Sequence, residues 1–139
     1  MKKIILSLFI LMYLQCNCFS DTICYWHVSL NKNILKQFNE ITESPLITII
    51  RSDVNQFDSL TIRFYKDTPC NDCKGNLLIN NDHKVIIEKA SIIGTFSPLT
   101  INLFELINSR ENKISKYFEF YYYEKSRKFE RYILKLIIK

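Results

Sequence analysis

The chain has 139 residues, 47% of them hydrophobic, a formal charge of +5, five cysteines, two histidines and two glycines. Such a composition excludes a disordered chain, and the modest charge does not demand a polyanionic partner. Neither a glycine-rich phosphate loop nor a His-Glu-x-x-His metal site is present.

The N-terminus reads as an export signal. Lys2 and Lys3 precede Ile4 to Leu14, a block that is apolar except at Ser7. As a helix such a block spans about 16 Å, roughly half of a ~30 Å hydrocarbon core, so a cleaved signal is expected rather than a membrane anchor. Cys18-Phe19-Ser20 offers small residues at the two positions that matter for a cut before Asp21. The expected division is therefore a signal peptide over 1–20 and a single domain over 21–139, secreted or periplasmic. Lipidation at Cys16 or Cys18 is the alternative, and only that would tie the domain to a membrane.

Beyond the signal the hydrophobic period is mostly two. Cys24, Trp26, Val28 and Leu30 fall on one face of a strand, and Tyr25, His27 and Ser29 on the other. Asn31-Lys32-Asn33 is turn chemistry, so residues 34–38 are expected to return as a hairpin arm. A short strand follows at 46–50. Over 60–66 the alternation is clean: Leu60, Ile62 and Phe64 inward, Thr61, Arg63 and Tyr65 outward. Residues 77–79 and 84–89 read as a hairpin around Asn80-Asn81-Asp82, and 92–96 as a further strand.

One helix is expected near 102–109. Asn102 followed three residues later by Glu105 makes a capping-box variant, with Leu103, Phe104 and Ile107 on one face. Two long strands, 117–124 and 129–138, close the chain. Phe118, Phe120 and Tyr122 on the first, with Tyr132, Leu134, Leu136 and Ile138 on the second, supply an apolar face. The fold class that follows is all-β, an antiparallel β-sandwich of immunoglobulin-like or related topology.

The loop Asp67–Asn76 carries Cys70-Asn71-Asp72-Cys73. In an exported chain the first expectation is a local disulfide between Cys70 and Cys73. A redox dithiol would normally sit at a helix N-terminus, and here a strand precedes it. A metal site would need further ligands. Cys24 and His27 lie three apart on a strand and so point to opposite faces, and His83 with Asp72 is a thin supplement. No cofactor or metal is assigned. Cys24 reads as a buried free thiol.

Catalytic signatures are absent from the sequence: no Gly-x-Ser-x-Gly elbow and no placed carboxylate pair. The expected activity is therefore binding rather than catalysis. The candidate face is the C-terminal hairpin, where Tyr117, Tyr121 and Tyr123 alternate outward and Lys125, Arg127, Lys128, Arg131 and Lys135 add charge. Exposed tyrosines with cations suit a glycan, an anionic envelope polymer or another protein. The ordinary alternative is that such pairs stabilise the sheet and protect its edge. Nucleic acid is not expected for so modest a charge. The competing function is a thiol-based redox or metal-binding accessory protein acting through Cys70 and Cys73.

The run Ser59 to Tyr65 leading into Cys70-Asn71-Asp72-Cys73, Gly94-Thr95-Phe96-Ser97-Pro98-Leu99, and the aromatic strand 117–123 together resemble uncharacterised small exported proteins of the Bacteroidota. The resemblance covers most of the mature chain. It implies export and a β-rich fold, and it implies no activity, cofactor or catalytic residue.

Overall fold

A computed structural model describes residues 24–39, 41–42, 45–66, 68, 70–83, 86–124 and 129–139, with the backbone alone at 86–89 and 129. The proposed signal, the cut after Ser20 and the lipidation candidates Cys16 and Cys18 lie outside the described residues, as do Lys125, Arg127 and Lys128.

Among the described residues nine strands form two packed sheets. The first sheet contains β1 (Tyr25–Leu30), β2 (Asn33–Asn39), β4 (Ser59–Tyr65) and β7 (Leu99–Asn102), in the order β2-β1-β4-β7. The second contains β3 (Leu46–Ile49), β5 (Lys74–Asn81), β6 (Ile86–Ile93), β8 (Tyr117–Glu124) and β9 (Phe129–Ile138), in the order β3-β9-β8-β5-β6. The expected two-layer, β-rich architecture is present. The sheets are not wholly antiparallel, however: β3 runs parallel to β9, pairing Leu46 with Lys135 and Ile49 with Ile138. Parallel neighbours need a long connection, and β4 to β8 lie between these two in the chain.

Period-two patterning explains the core. Trp26 and Val28 of β1, Leu60 and Ile62 of β4, Leu77 and Ile79 of β5, and Phe118 and Phe120 of β8 are buried and meet between the sheets. Trp26 stacks on Phe64 at 4.2 Å, and Tyr122 closes against both from the opposite sheet at 5.3 and 5.4 Å. Gly75 of β5 lies beneath that Tyr122 ring, and a Cβ there would come within 2.5 Å of it.

Turn chemistry sets the first sheet. Asn31 and Lys32 have φ of 50° and 72°, the left-handed pair of a two-residue hairpin in which Asn is at home. The Asn31 side chain ties this turn to the next strand: Nδ2 donates to Asp58 at 2.7 Å and Oδ1 accepts from the Ser59 N–H at 3.0 Å.

The short helix α1 (Leu103–Asn108) is where the cap predicted it, and Asn102 accepts from the Glu105 N–H at 3.0 Å. Its buried face is Leu103, Leu106 and Ile107; Phe104 turns out towards solvent, because helical spacing places 103, 106 and 107 together. At the other end, Arg51 donates to the carbonyls of Ile107 and Ser115.

Two further expectations are corrected. Residues 92–96 are not a strand of their own: β6 runs through to Ile93, and a turn with Gly94 at φ 81° and Phe96 at φ 72° follows. The strand lies after that turn, at β7. Secondly, β9 carries a bulge. Phe120 faces Leu134 but Tyr121 faces Tyr132, so Ile133 is the extra residue. The bulge shifts the phase, burying Ile133 with Leu134 and placing Tyr132 on the outer face, not on the apolar face expected of it.

Candidate functional site

Three places carry chemistry: the outer face of the five-stranded sheet, the cysteine loop and the outer face of the four-stranded sheet.

On the outer face of β8 and β9 the expected tyrosines are present, but they are occupied with their neighbours. Lys135 lies over the Tyr117 ring, 3.5 Å from its centroid, and pairs with Glu119 at 3.5 Å. The Tyr121 hydroxyl donates to Glu119 at 3.3 Å, and its ring meets Tyr132 edge-on at 5.3 Å. Burial and the Glu119 carboxylate push both phenols upward from their ordinary range. Tyr123 lies across from Glu130. Arg131 is opposite the buried Tyr122, so the Ile133 bulge places it on the inward side, away from Tyr121. Cation, carboxylate and rings neutralise one another here, as in ordinary cross-strand stabilisation.

The cysteine loop also departs from expectation. Cys24, Cys70 and Cys73 are all free thiols, and no disulfide joins Cys70 to Cys73. The loop folds so that the Cys70 sulfur accepts the Cys73 N–H at 3.1 Å and donates to Asp72 at 3.2 Å, while the Cys73 thiol turns to the Cys70 carbonyl at 3.7 Å. Backbone bonds zip it to the Gly94 turn: Thr95 N–H to Cys70 O at 2.7 Å, and Gly94 N–H to Cys73 O at 2.9 Å. Burial, then the neighbouring Cys70 thiol and the Glu124 charge, push the Cys73 thiol up. Among the described residues no cluster of three or more metal-ligating side chains forms. Cys24 packs against the core while His27 faces outward.

The third place was legible only as a list of outward residues. On the outer face of the four-stranded sheet, register lines them up in rows. Tyr25 faces Tyr65, and their rings stack at 4.6 Å and 4°. The next row is Gln37, His27 and Arg63. Beyond it comes a row of hydroxyls, Ser29, Thr61 and Thr100, with the two threonine oxygens 3.0 Å apart. Lys32 in the hairpin turn and Ser59 finish the series. A groove of about 720 Å³, lined by His27, Arg63, Tyr65, the hydroxyl row, Lys32 and Ser59, runs between Ile34 and Pro98. Among the described residues no carboxylate lines it.

His27 packs at an angle against Tyr65, at 4.6 Å, and Phe96 tilts onto the same tyrosine at 5.7 Å. Partial burial, and then the Arg63 charge opposite, hold the imidazole below its ordinary pKa, so it is neutral at neutral pH. Arg63 and Lys32 are exposed and have no carboxylate partner among the described residues. The arrangement offers hydroxyl donors and acceptors, a neutral imidazole and two unneutralised cations. It suits a ligand rich in oxygen and carrying negative charge.

No protein-family model matches the chain, and no curated protein and no solved structure matches it.

Proposed function

We propose that the chain is an exported, non-catalytic binding domain of the cell envelope or exterior, and that its ligand sits in the groove on the outer face of the four-stranded sheet. One observation carries this: two cations, a hydroxyl row and the Tyr65 ring face one depression that, among the described residues, no carboxylate lines. Across the described part of the C-terminal hairpin, first candidate by composition, Lys135 and Tyr121 are engaged with Tyr117, Glu119 and Tyr132.

Non-catalytic action agrees with the neighbours of each histidine. His27 is held among Tyr25, Tyr65 and Arg63, with no carboxylate among the described residues to orient it as a general base. His83 lies in an exposed turn, 3.5 Å from Asp82. Export rests on the Lys2-Lys3 and apolar block of the first twenty residues. An immunoglobulin-like or related topology is supported by the two-layer packing, and the parallel β3–β9 pair is a departure from the plain form.

The test is binding to isolated envelope polysaccharide by wild type and by Thr100→Trp, which fills the groove from an exposed strand position. Loss of binding with unchanged thermal stability is expected. Equal binding by the two proteins, or none by wild type, would count against the groove.

A second function, thiol redox or metal chemistry at Cys70 and Cys73, draws on the N–H that supports the Cys70 sulfur. A redox titration with metal analysis tests it: a strongly reducing potential and no bound metal would remove it.

A further inference from the structure

We propose that the groove on the four-stranded sheet is a binding site for an acidic polysaccharide, a saccharide chain bearing carboxylates on its rings. This rests on the binding function proposed above and names its ligand class.

The spacing of charge is the main argument. Arg63 and Lys32 both line the groove; Lys32 follows Asn31, whose N–H bonds the Ser59 carbonyl, and Ser59 and Arg63 are four residues apart on β4, about 13 Å along the backbone. A chain with a charge on successive units can meet both, and the backbone interval between them carries Ser29, Thr61 and Thr100. In the Thr61–Thr100 pair one hydroxyl donates to the other, so the second keeps its proton for a ligand. Ser29 holds only a long bond, 3.5 Å, to the Thr61 carbonyl. Such a floor matches sugar hydroxyls lying between carboxylates.

Tyr25 and Tyr65 stack on each other, and His27 and Phe96 pack onto Tyr65, which fixes the Tyr65 ring beside His27 at the groove.

His27 is a built-in reporter. The groups facing it are Arg63, Tyr25 and Tyr65 from β1 and β4, and the uncharged Gln37 from β2. A carboxylate seated on Arg63 would cancel the charge that now disfavours imidazolium, and the His27 pKa would rise.

The experiment is an NMR titration of the intact protein with oligogalacturonate and oligomannuronate, with the methyl ester of the former, and with inorganic phosphate. At least one oligouronate should shift the amides of β1 and β4 and raise the His27 pKa. The ester, which keeps the sugar and removes the charge, should bind at least roughly tenfold more weakly, as should Arg63→Gln with the free acid. Equal binding of ester and acid, or phosphate displacing the oligomer stoichiometrically, would overturn the acidic-saccharide assignment. So would the absence of binding by both oligouronates, or shifts confined to β8 and β9. If the assignment falls while Thr100→Trp still abolishes envelope binding, the groove keeps its function with a different ligand; if both fail, the binding function falls with it.

Discussion

Replacing Gly75 by alanine tests the aromatic keystone of the sandwich. The new Cβ would stand 2.5 Å from Tyr122 Cε2 and Oη and 2.8 Å from Cζ, where carbon atoms prefer roughly 3.5–4.0 Å. The ring must therefore retreat by about 1 Å. It has little room, because Tyr122 is 4% exposed and braced by Trp26 and Phe64, which stack on each other. Overpacking of this kind costs about 1–3 kcal/mol. Against it stands the gain from removing a strand glycine, about 0.5–1 kcal/mol. Overpacking wins, leaving a net loss of about 1–2 kcal/mol. In urea, with a slope of about 1–3 kcal/mol per molar, the midpoint should fall by roughly 0.3–2 M. A Tyr122→Leu background removes the opposing ring, and there Gly75→Ala should be neutral or stabilising. A wild-type midpoint for Gly75→Ala, or the same loss in both backgrounds, would refute the reasoning.

Three further outcomes are expected. Asn112→Ala removes both the acceptor that holds Asn81 Nδ2 at 3.0 Å and the donor to the Leu106 carbonyl at 2.9 Å, inside a buried site; it should cost about 1–3 kcal/mol in equilibrium unfolding. Trp26→Ala opens the centre of the core and should cost about 3–5 kcal/mol by the same assay. The His27 pKa lies below its unfolded value, so as pH falls the unfolded chain takes up a proton first, and stability should decline from about pH 7 through the folded pKa. Asp58, held low by the Asn31 side chain and the Asn55 N–H, loses its contribution only below about pH 4, outside that window. Unfolding curves at a series of pH values for wild type and His27→Gln check this, since the variant should lose the near-neutral slope.

Much of the fold was legible because it follows local rules. Alternation identified the inward rows of β1, β4 and β8, and Asn102 with Glu105 located α1. What escaped notice depends on residues that break a period. Ile133 reads like any strand isoleucine, yet as the extra residue of a bulge it turns Tyr132 outward and Arg131 inward. Gly94 and Phe96 in left-handed backbone end β6 and displace the next strand to β7. The parallel partner of β9 has no local signature at all, since pairing across most of the chain is decided by packing.

The site illustrates a further limit, and it concerns composition against geometry. Tyrosines and lysines cluster in the C-terminal hairpin, so a one-dimensional reading goes there. A binding surface needs groups whose partners are missing, and sequence does not show who is already paired. Across β8 and β9, Lys135 serves Tyr117 and Glu119 at once, and Tyr121 serves Glu119 and Tyr132. Across β1, β4 and β7 the outward residues come from segments far apart in the chain: Ser29, Thr61 and Thr100 meet only through two antiparallel registers. Arg63 then faces a neutral histidine rather than a carboxylate, and its charge is left to the solvent or to a ligand. The weaker compositional signal therefore marks the proposed site, because Arg63 and Lys32 have no carboxylate partner among the described residues while Lys135 and Tyr121 of the hairpin are engaged.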